Sequence, residues 1–559
     1  LIMSLQASEL PADDPRAPEL MQCAVRICKC VGDQFVTCLP RVLPPLLQCL
    51  DKSKIGMSVT DVEEEDSNAK ADKEAAAAGM STWVIGIRGV GDKKISLNTA
   101  AIDDMHMAIS ILREYATVLR AKFLPFVEPC AKAIIPLVDF EFFEGGRSIA
   151  ALTLSELLRC ATEGLRHGNK PQTFALQLLR TSMLTLIRRL EQEMKKGVES
   201  DTLACFAESI KLCLEVCYRS GSDDIEHEPT CRPVLSMPKE MLVPMGKLLC
   251  ECANQSVQRR LSTMKAAREK MGELFDDVAK EALEEDLEIE EELMTQLVDA
   301  VGYVMKTHKS DSSAMIDATF GPLFMNLLRQ NGLPDTLLWS SLCFFDDVVE
   351  HCGVATSTKY LPICAPMMIR SANSNDPYVR QAAIYGVGQL AEHAKEFFAK
   401  NNLCGQALNL LMQVLRRPDA REEEQLCATE NAVGAIGRIC AFHGARNDVP
   451  TQEVLPVWLS FLPLRDDMIE AFIVHRHLNA LLNAKNVDLL GKSNERLPIA
   501  LKVVCEIVTE ELADKNTLAS LKNVAGAFKA SMNAQSLTQI VGSVEPKNRA
   551  KTGALLGLQ

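Results

Sequence analysis

The clearest hydrophobic pattern in the chain lies in the segment SNDPYVRQAAIYGVGQLAEH, residues 374–393. Its apolar residues recur every three or four positions, which is the period of an α-helix and not of a strand. Asp376 is suited to cap the helix, and Pro377 fits the first turn, where its missing N–H costs nothing. Gly386 and Gly388 lower helix propensity, so we expect them to permit close approach of a neighbouring helix. The predicted buried face consists of Val379, Ala382, Ala383, Val387, Leu390 and Ala391.

Helical segments of the same kind follow in pairs. They are KEFFAKNNLCGQALNLLMQVLRRP, ended by Pro418, then REEEQLCATENAVGAIGRICAFHG, ended near Gly444, then EVLPVWLSFLPL and DDMIEAFIVHRHLNALLNA. Each pair occupies roughly 35 to 50 residues, which is the period of HEAT and armadillo units. The segments FLPFVEPCAKAIIPLV, YLPICAPMMI and VLPVWLSFLPL share a Leu-Pro that should mark matching first turns. We therefore predict an all-α HEAT-repeat solenoid, a superhelix of antiparallel helix pairs, instead of several globular domains.

Two segments interrupt the repeats. Residues 51–99 hold an acidic, Ala-rich stretch followed by STWVIGIRGVGDKKISLNT, whose apolar alternation around Gly89 and Gly91 predicts a small β-hairpin. Residues 255–294 are basic and then strongly acidic, so this helical segment should be solvated, fold back on itself or cap a neighbour. The predicted organisation is a first helix pair at 1–50, the insertion, repeats at 100–254, the charged segment, and repeats at 295–559.

Composition narrows the class of protein. The formal net charge of −14 argues against direct binding of nucleic acid and makes a basic partner the natural complement. Cysteines such as Cys28, Cys160, Cys213, Cys217, Cys343 and Cys440 lie in apolar helical stretches, so we interpret them as reduced packing residues of a cytosolic or nuclear protein. No apolar run is long enough for membrane insertion. Because the chain opens with LIMSLQASEL, we expect an internal or C-terminal piece of a longer protein.

Candidate chemistry is sparse. The phosphate-loop lookalike GIRGVGDKK has Asp92 where a P-loop needs Lys, so a hairpin turn is the better interpretation. His475 and His477 are two residues apart, point to different faces of a helix and cannot chelate together, so they should be surface or groove histidines. The acids Asp346, Asp347 and Glu350 lack a nucleophile, and capping or inter-helix hydrogen bonding is favoured over catalysis. We predict no catalytic, cofactor or metal site, and no enzyme.

Partner binding is the remaining role for such a solenoid. Asp376 and Arg380 suit a ladder in which an acid near a helix start meets an Arg of a neighbouring repeat. The acids Asp346, Asp347 and Glu350 are also candidates for partner contact. Most aromatic residues should pack in the core, and any that stay exposed between helices could receive aromatic side chains from a partner. The aromatic candidates are Phe344, Phe345, Trp458 and Phe461, together with Phe397 and Phe398.

At this point the sequence resembles the importin-β (karyopherin-β) family, within it the importin beta-three type. The motifs LCFFDDVVEHCG, NDPYVRQAAIYGVGQLAEH, ATENAVGAIGRI and VLPVWLSFLPLRDD occur in that order, and FFEGGRSIAA and LMTQLVDAVGYV fit as weaker landmarks. The likeness spans almost the whole chain and suggests the C-terminal half of such a receptor.

The resemblance implies a protein that shuttles between cytoplasm and nucleus. Its implied partners are cargo with basic nuclear localisation signals, Phe-Gly nucleoporins and Ran-GTP, whose main site would lie in an N-terminal half outside this chain. The alternative that the helix pattern leaves open is a HEAT scaffold of a phosphatase or a cytoskeletal complex.

Overall fold

The computed structural model describes residues 16–55, 58–61, 80–87, 91–141, 143–166, 172–220, 233–270 and 277–558. They divide into two compact units, the first ending at Thr307 and the second beginning at His308. Within these ranges the chain is built almost entirely from helices that follow one another at short intervals, so the predicted all-α class is confirmed. No helix of the described chain is both long and apolar enough to span a bilayer.

The first unit is built from long helices and one small sheet. Along the chain α3 packs against α5 and α5 against α7, so the first helices of successive pairs are stacked side by side. The helices are α1 Arg16–Val31, α2 Leu39–Cys49, α3 Thr99–Leu119, α4 Leu124–Ile134, α5 Glu144–Arg166, α6 Gln172–Lys196, α7 Ser200–Arg219, α8 Lys239–Lys270 and α9 Asp277–His308, whose last residue belongs to the second unit.

The second unit continues with shorter helices. Here α12, α15, α18, α20 and α23 form one stack, in which each helix contacts the next. The helices are α10 Ser313–Ala318, α11 Phe320–Leu328, α12 Asp335–His351, α13 Val354–Ser357, α14 Leu361–Ser371, α15 Pro377–His393, α16 Lys395–Lys400, α17 Leu403–Leu415, α18 Glu423–His443, α19 Thr451–Ser460, α20 Met468–Asn483, α21 Val487–Leu490, α22 Leu497–Glu510, α23 Lys515–Lys529, α24 Ala534–Ser543 and α25 Arg549–Leu556.

Helix α15 forms as its sequence predicts. The Asp376 carboxylate accepts the Val379 N–H at 2.8 Å, and all six residues of the predicted apolar face are buried. A Cβ added to Gly386 would collide with Asp346 of α12, and one added to Gly388 would lie 3.2 Å from the Ala435 Cα of α18. The two glycines therefore let α15 approach the helix on either side of it.

The insertion contains a three-stranded antiparallel sheet in the order β1-β3-β2, with β1 Ser58–Asp61, β2 Met80–Ile87 and β3 Gly91–Asn98. Strands β2 and β3 pair with Ile87 opposite Gly91, which is the arrangement of the predicted hairpin and not of a phosphate loop. The sequence pattern did not predict β1, which pairs with the other edge of β3. The acidic stretch at 62–79 lies outside the described residues.

Two predicted helices have different limits in the structure. The segment at 395–418 is not one helix, because Asn402 adopts a left-handed φ of 56° and separates α16 from α17. Helix α19 begins at Thr451, directly after Pro450, so Pro456 lies inside the helix and not in its first turn. The first-turn role of proline holds for Pro125 in α4 and Pro362 in α14.

The charged segment at 255–294 spans the end of α8 and the beginning of α9. The Arg259 guanidinium bonds to both Glu290 carboxylate oxygens, at 2.6 and 3.1 Å, and Arg260 lies 3.4 Å from Glu291. The basic part thus folds back on the acidic part, which was one of the predicted alternatives. The start of α9 stays solvated and exposes Glu281, Glu284, Glu285, Asp286 and Glu288.

Candidate partner-binding surfaces

The three acids of α12 have separate surroundings. Asp346 is buried, and its Oδ1 has no hydrogen-bond partner among the described residues. Burial, and then the neighbouring Asp347 and Glu350, raise the pKa of the Asp346 carboxyl well above its usual value. Asp346 therefore faces the core at Gly386 and cannot receive a partner's side chain.

Glu350 makes the inter-helix contact that its position predicts. It accepts a hydrogen bond of 2.6 Å from the Tyr385 hydroxyl of α15. His351 Nε2 lies 3.6 Å from Asp347 Oδ1 and 3.7 Å from Glu350 Oε1. The Tyr385 bond joins α12 to α15, and the His351 contacts lie within α12 beside the half-buried acids.

The predicted Asp376–Arg380 ladder is wrong in its acidic half. Asp376 caps its own helix, and the buried Arg380 donates to the Ser374 carbonyl at 2.5 Å. The acceptor for Arg380 in the next repeat is the side-chain oxygen of Gln425, an uncharged group. Arg380 does join neighbouring repeats, but through a hydrogen bond to the Gln425 amide oxygen.

A charged ladder does exist one repeat further along, at residues that the sequence analysis did not single out. Arg438 of α18 binds Glu392 of α15 at 3.0 Å and Glu470 of α20 at 2.7 Å. Burial disfavours the charged form of Arg438, but Glu470 outweighs that effect and raises its pKa. A signal was present, because an Arg in the small-residue helix ENAVGAIGRI must be buried and must find carboxylates at repeat distance.

The loop after α19 is held from both sides. Glu430 accepts the backbone N–H of Arg465 at 2.9 Å and of Asp467 at 2.7 Å, while the Arg465 side chain reaches Glu510 of α22 at 3.0 Å. His475 lies beneath the same loop, where Nε2 faces the Leu464 N–H at 3.2 Å. These bonds extend the polar connection between repeats from α18 to α22.

The histidine prediction was half right. His475 and His477 do face different surroundings, but His475 is a core residue whose Nδ1 lies 2.7 Å from the Leu512 carbonyl. Burial lowers the pKa of both imidazoles to about 4. Among the described residues no group of three His, Cys, Asp or Glu side chains could hold a metal ion.

Most aromatic candidates are core residues. Phe344, Phe345 and Trp458 are fully buried, and the Trp458 Nε1–H donates to the Val433 carbonyl at 2.9 Å. Their proposed contact with a partner is therefore wrong, because repeat packing covers both sides of these helices. Phe461 is half-buried, and the Arg421 guanidinium lies 4.6 Å from its ring centroid. Phe398 is buried as well, whereas Phe397 stays half-buried.

Phe397 lines an open groove in the second unit, which we call the Phe397 groove. Its volume is about 650 Å³, and its other apolar walls are Val354, Leu361 and Ala394. Val354 is 63% exposed, so this wall of the groove is accessible to a partner. Lys395, at one end, lies 3.8 Å from the centroid of the Phe442 ring. The groove has the size and the apolar lining needed to take an aromatic side chain.

The chain is similar along its length to nuclear import receptors, although no family model matches it. Importin subunit beta-3 of Saccharomyces cerevisiae is 24% identical over 539 residues, which cover 95% of this chain and 44% of the relative. Importin-4 of Mus musculus is 23% identical over 471 residues, or 83% of this chain and 38% of the relative. This similarity is to members of the importin-β family. The chain spans less than half the length of these importin-β relatives.

Solved structures agree with this family fold. Kap121p in complex with Ste12p superposes with a TM-score of 0.72 at 20% identity, over 99% of this chain and 45% of that chain. Kap121p bound to RanGTP has a TM-score of 0.72 at 20% identity, over 99% of this chain and 46% of that chain. Kap121p bound to Nup53p has a TM-score of 0.72 at 20% identity, over 99% of this chain and 45% of that chain. Within an importin-β fold, the helix pairs described above are HEAT repeats. Within the described residues, the Phe397 groove and the acidic start of α9 are two candidate surfaces that this packing leaves open.

Proposed function

We propose that this chain is part of a nuclear transport receptor that binds cargo proteins and Phe-Gly nucleoporins and carries cargo into the nucleus under control by Ran-GTP. The observation that carries the proposal is the similarity to importins over 95% of the chain. The proposed receptor shuttles between cytoplasm and nucleus and acts by binding, not by catalysis. The solved complexes of Kap121p with Ste12p, Nup53p and RanGTP support each class of partner.

The Phe397 groove is the proposed contact for Phe-Gly repeats. Burying a phenylalanine side chain contributes roughly 1.5–3 kcal/mol, which suits a weak contact that forms and breaks during passage. The walls supply this burial through Val354, Leu361 and Phe397, while Lys395 and Glu396 keep the rim polar.

A binding assay with matched valine variants tests this contact. Val354→Asp places a negative charge on the groove wall. Val487→Asp places the same charge on a similarly exposed valine, 55% accessible, that lies outside the groove. We expect Val354→Asp to weaken binding of a Phe-Gly peptide to the 559-residue chain about tenfold, on the order of 1.4 kcal/mol. Equal affinities of the two variants in fluorescence anisotropy would remove the groove from the proposal.

The acidic start of α9 is the proposed contact for basic signals. Glu284, Glu285 and Glu288 are exposed, and a cluster of carboxylates raises the local concentration of a Lys-rich peptide. Reversing all three to Lys should weaken binding of such a peptide by at least about tenfold at low salt. The charge-matched control reverses the exposed run Glu422, Glu423 and Glu424 instead. If both triple variants lose affinity equally, total charge and not the α9 surface attracts the peptide.

A further inference from the structure

The C-terminal helices have a charge opposite to that of the whole protein. The chain carries a net charge of −14, yet between Lys515 and Gln559 Glu545 is the one acidic residue. The basic residues of the same stretch are Lys515, Lys522, Lys529, Lys547, Arg549 and Lys551. Three of these have local partners: Lys547 pairs with Glu545 at 2.9 Å, Arg549 donates to the Val544 carbonyl at 3.3 Å, and Lys551 donates to the Thr509 carbonyl at 3.2 Å.

The other three lysines lie on one face of α23, and we call this face the lysine stripe. Lys515, Lys522 and Lys529 are spaced by seven residues, which on a helix places them in a row with about 10 Å between neighbours. Ala519 and Gly526 occupy the positions between them. The opposite face of α23 is buried through Thr517, Leu521, Val524, Ala525 and Phe528. The stripe therefore points away from the core.

The stripe offers room as well as charge. Lys515, Ala519, Lys522 and Gly526 are exposed, and Lys529 is half-buried. A Cβ added to Gly526 would meet no atom within 4 Å. The lysine side chains thus border a flat strip of small residues along which another backbone can lie close.

The lysines of the stripe lack the acidic neighbours that several other exposed lysines of this chain have. Lys132, Lys195 and Lys280 each lie within 4 Å of a glutamate four residues away on the same helix. Helix α23 contains no acidic residue, and Asp514 just before it is used as the helix cap, accepting the N–H groups of Asn516 and Thr517 at 3.0 Å. Within the described residues the three stripe lysines have no ion pair. Their charge is therefore available to a second molecule.

We propose that the lysine stripe binds an acidic α-helical segment of a partner protein. Carboxylates at seven-residue spacing on such a helix meet the three ammonium groups, and Ala519 and Gly526 let the two helices approach closely. A nucleic acid fits less well, because the chain as a whole would repel it and the stripe has no arginine for bidentate contact with phosphate. The alternative explanation is that the lysines only give the end of the repeat stack a polar surface. Charges of either sign would serve that purpose, so it does not explain why all the charges of α23 are positive.

The experiment uses the 559-residue chain and a helical, Ala-based peptide with Glu at every seventh position. The first variant is Lys515→Glu/Lys522→Glu/Lys529→Glu, and its charge-matched control is Lys132→Glu/Lys195→Glu/Lys280→Glu. The second variant is Gly526→Leu, which keeps every charge and replaces glycine by a better helix former, so it should not unfold α23. Binding is measured by fluorescence anisotropy at low and at physiological salt.

We expect the stripe variant to lose at least about tenfold in affinity, because three opposite charges are replaced by like charges. Gly526→Leu should lose about fivefold, and the control variant should change less than about twofold. No binding of the peptide to the unaltered chain at low salt would overturn the proposal. The proposal would also be overturned if Gly526→Leu bound the acidic peptide as tightly as the unaltered chain does. The same holds if the unaltered chain bound single-stranded DNA as tightly as the peptide, since either result marks a general anion surface.

Discussion

Arg438 of α18 forms a two-pronged ion pair with Glu470 of α20, with Nη1 at 2.7 Å and Nη2 at 2.9 Å from the two carboxylate oxygens. Both side chains are buried, and Gly434 makes room for the pair, because a Cβ at that position would collide with Glu470. The arginine also reaches Glu392 of the preceding repeat. A single residue therefore ties three successive first helices together.

Removing one partner of the Arg438–Glu470 ion pair should strongly lower the stability of the second unit. Arg438→Met leaves Glu470 buried without its partner, so we expect the free energy of unfolding of the second unit to fall by about 3–5 kcal/mol. Arg438→Met/Glu470→Met removes both charges and should cost less than the two single substitutions summed, by at least about 1 kcal/mol. Urea denaturation followed by tryptophan fluorescence measures this, and additive costs would contradict the coupling.

The close packing of α15 against α12 at Gly386 should make stability sensitive to an added side chain there. A Cβ there would collide with Asp346 and lie 3.0 Å from the Met368 sulfur, so Gly386→Ala forces α15 away from α12. We expect a loss of about 1–3 kcal/mol in stability. The matched control is Gly526→Ala, a helical glycine facing open space, which should gain about 0.5–1 kcal/mol from helix propensity. Thermal unfolding of the two variants should therefore shift in opposite directions.

His475 should make the second unit sensitive to mild acid. The network places the imidazole proton on Nδ1, toward Leu512, and leaves Nε2 to accept from Leu464, so the ring must be neutral. Burial lowers its pKa from 6.5 to about 4, so its contribution to stability is present above pH 6.5 and is lost as the pH falls toward 4. Between pH 7 and pH 5 we expect His475 to account for a loss of about 2 kcal/mol, and His477, whose pKa is lowered in the same way, adds to the total loss.

His475→Gln supplies the comparison, because glutamine does not titrate in this range. The variant should be less stable at pH 7, where it loses one of the ring's two hydrogen bonds, but its stability should fall less between pH 7 and pH 5. Parallel pH profiles of the two proteins in urea denaturation would show that another group is responsible.

Asp346 should lower stability as the pH rises, which is the opposite of the pH dependence that His475 produces. Its pKa is raised by burial and by the neighbouring carboxylates, so folding becomes less favourable as the pH rises above 3.8 and through the raised pKa. Asp346→Asn keeps the shape without the charge and should match or exceed the unaltered chain in melting temperature at pH 8, with a smaller difference at pH 5. Asp335→Asn, at an exposed position on the same helix, is the control and should show no such pH-dependent difference.

Local sequence rules sufficed for much of the fold. The 3.6-residue period, the Asp376 cap and the glycines of α15 predicted a helix and its buried face, because these features act within one or two turns. Where the backbone departs from those rules, prediction was less accurate. Asn402 takes a left-handed conformation that divides a continuous apolar pattern into α16 and α17, and nothing in that pattern marks the break.

The sequence by itself determined the repeating helix pairs and the absence of a recognisable catalytic motif, because periodicity and spacing are properties of neighbouring residues. Only the tertiary structure decided which side chains meet. Phe344 and Trp458 lie in the core while Phe397 lines a groove, and Arg438 meets an acid from the repeat on each side while Arg380 bonds to Gln425. The physical reason is that burial depends on the helix stacked alongside, which lies 30 to 50 residues away in the chain.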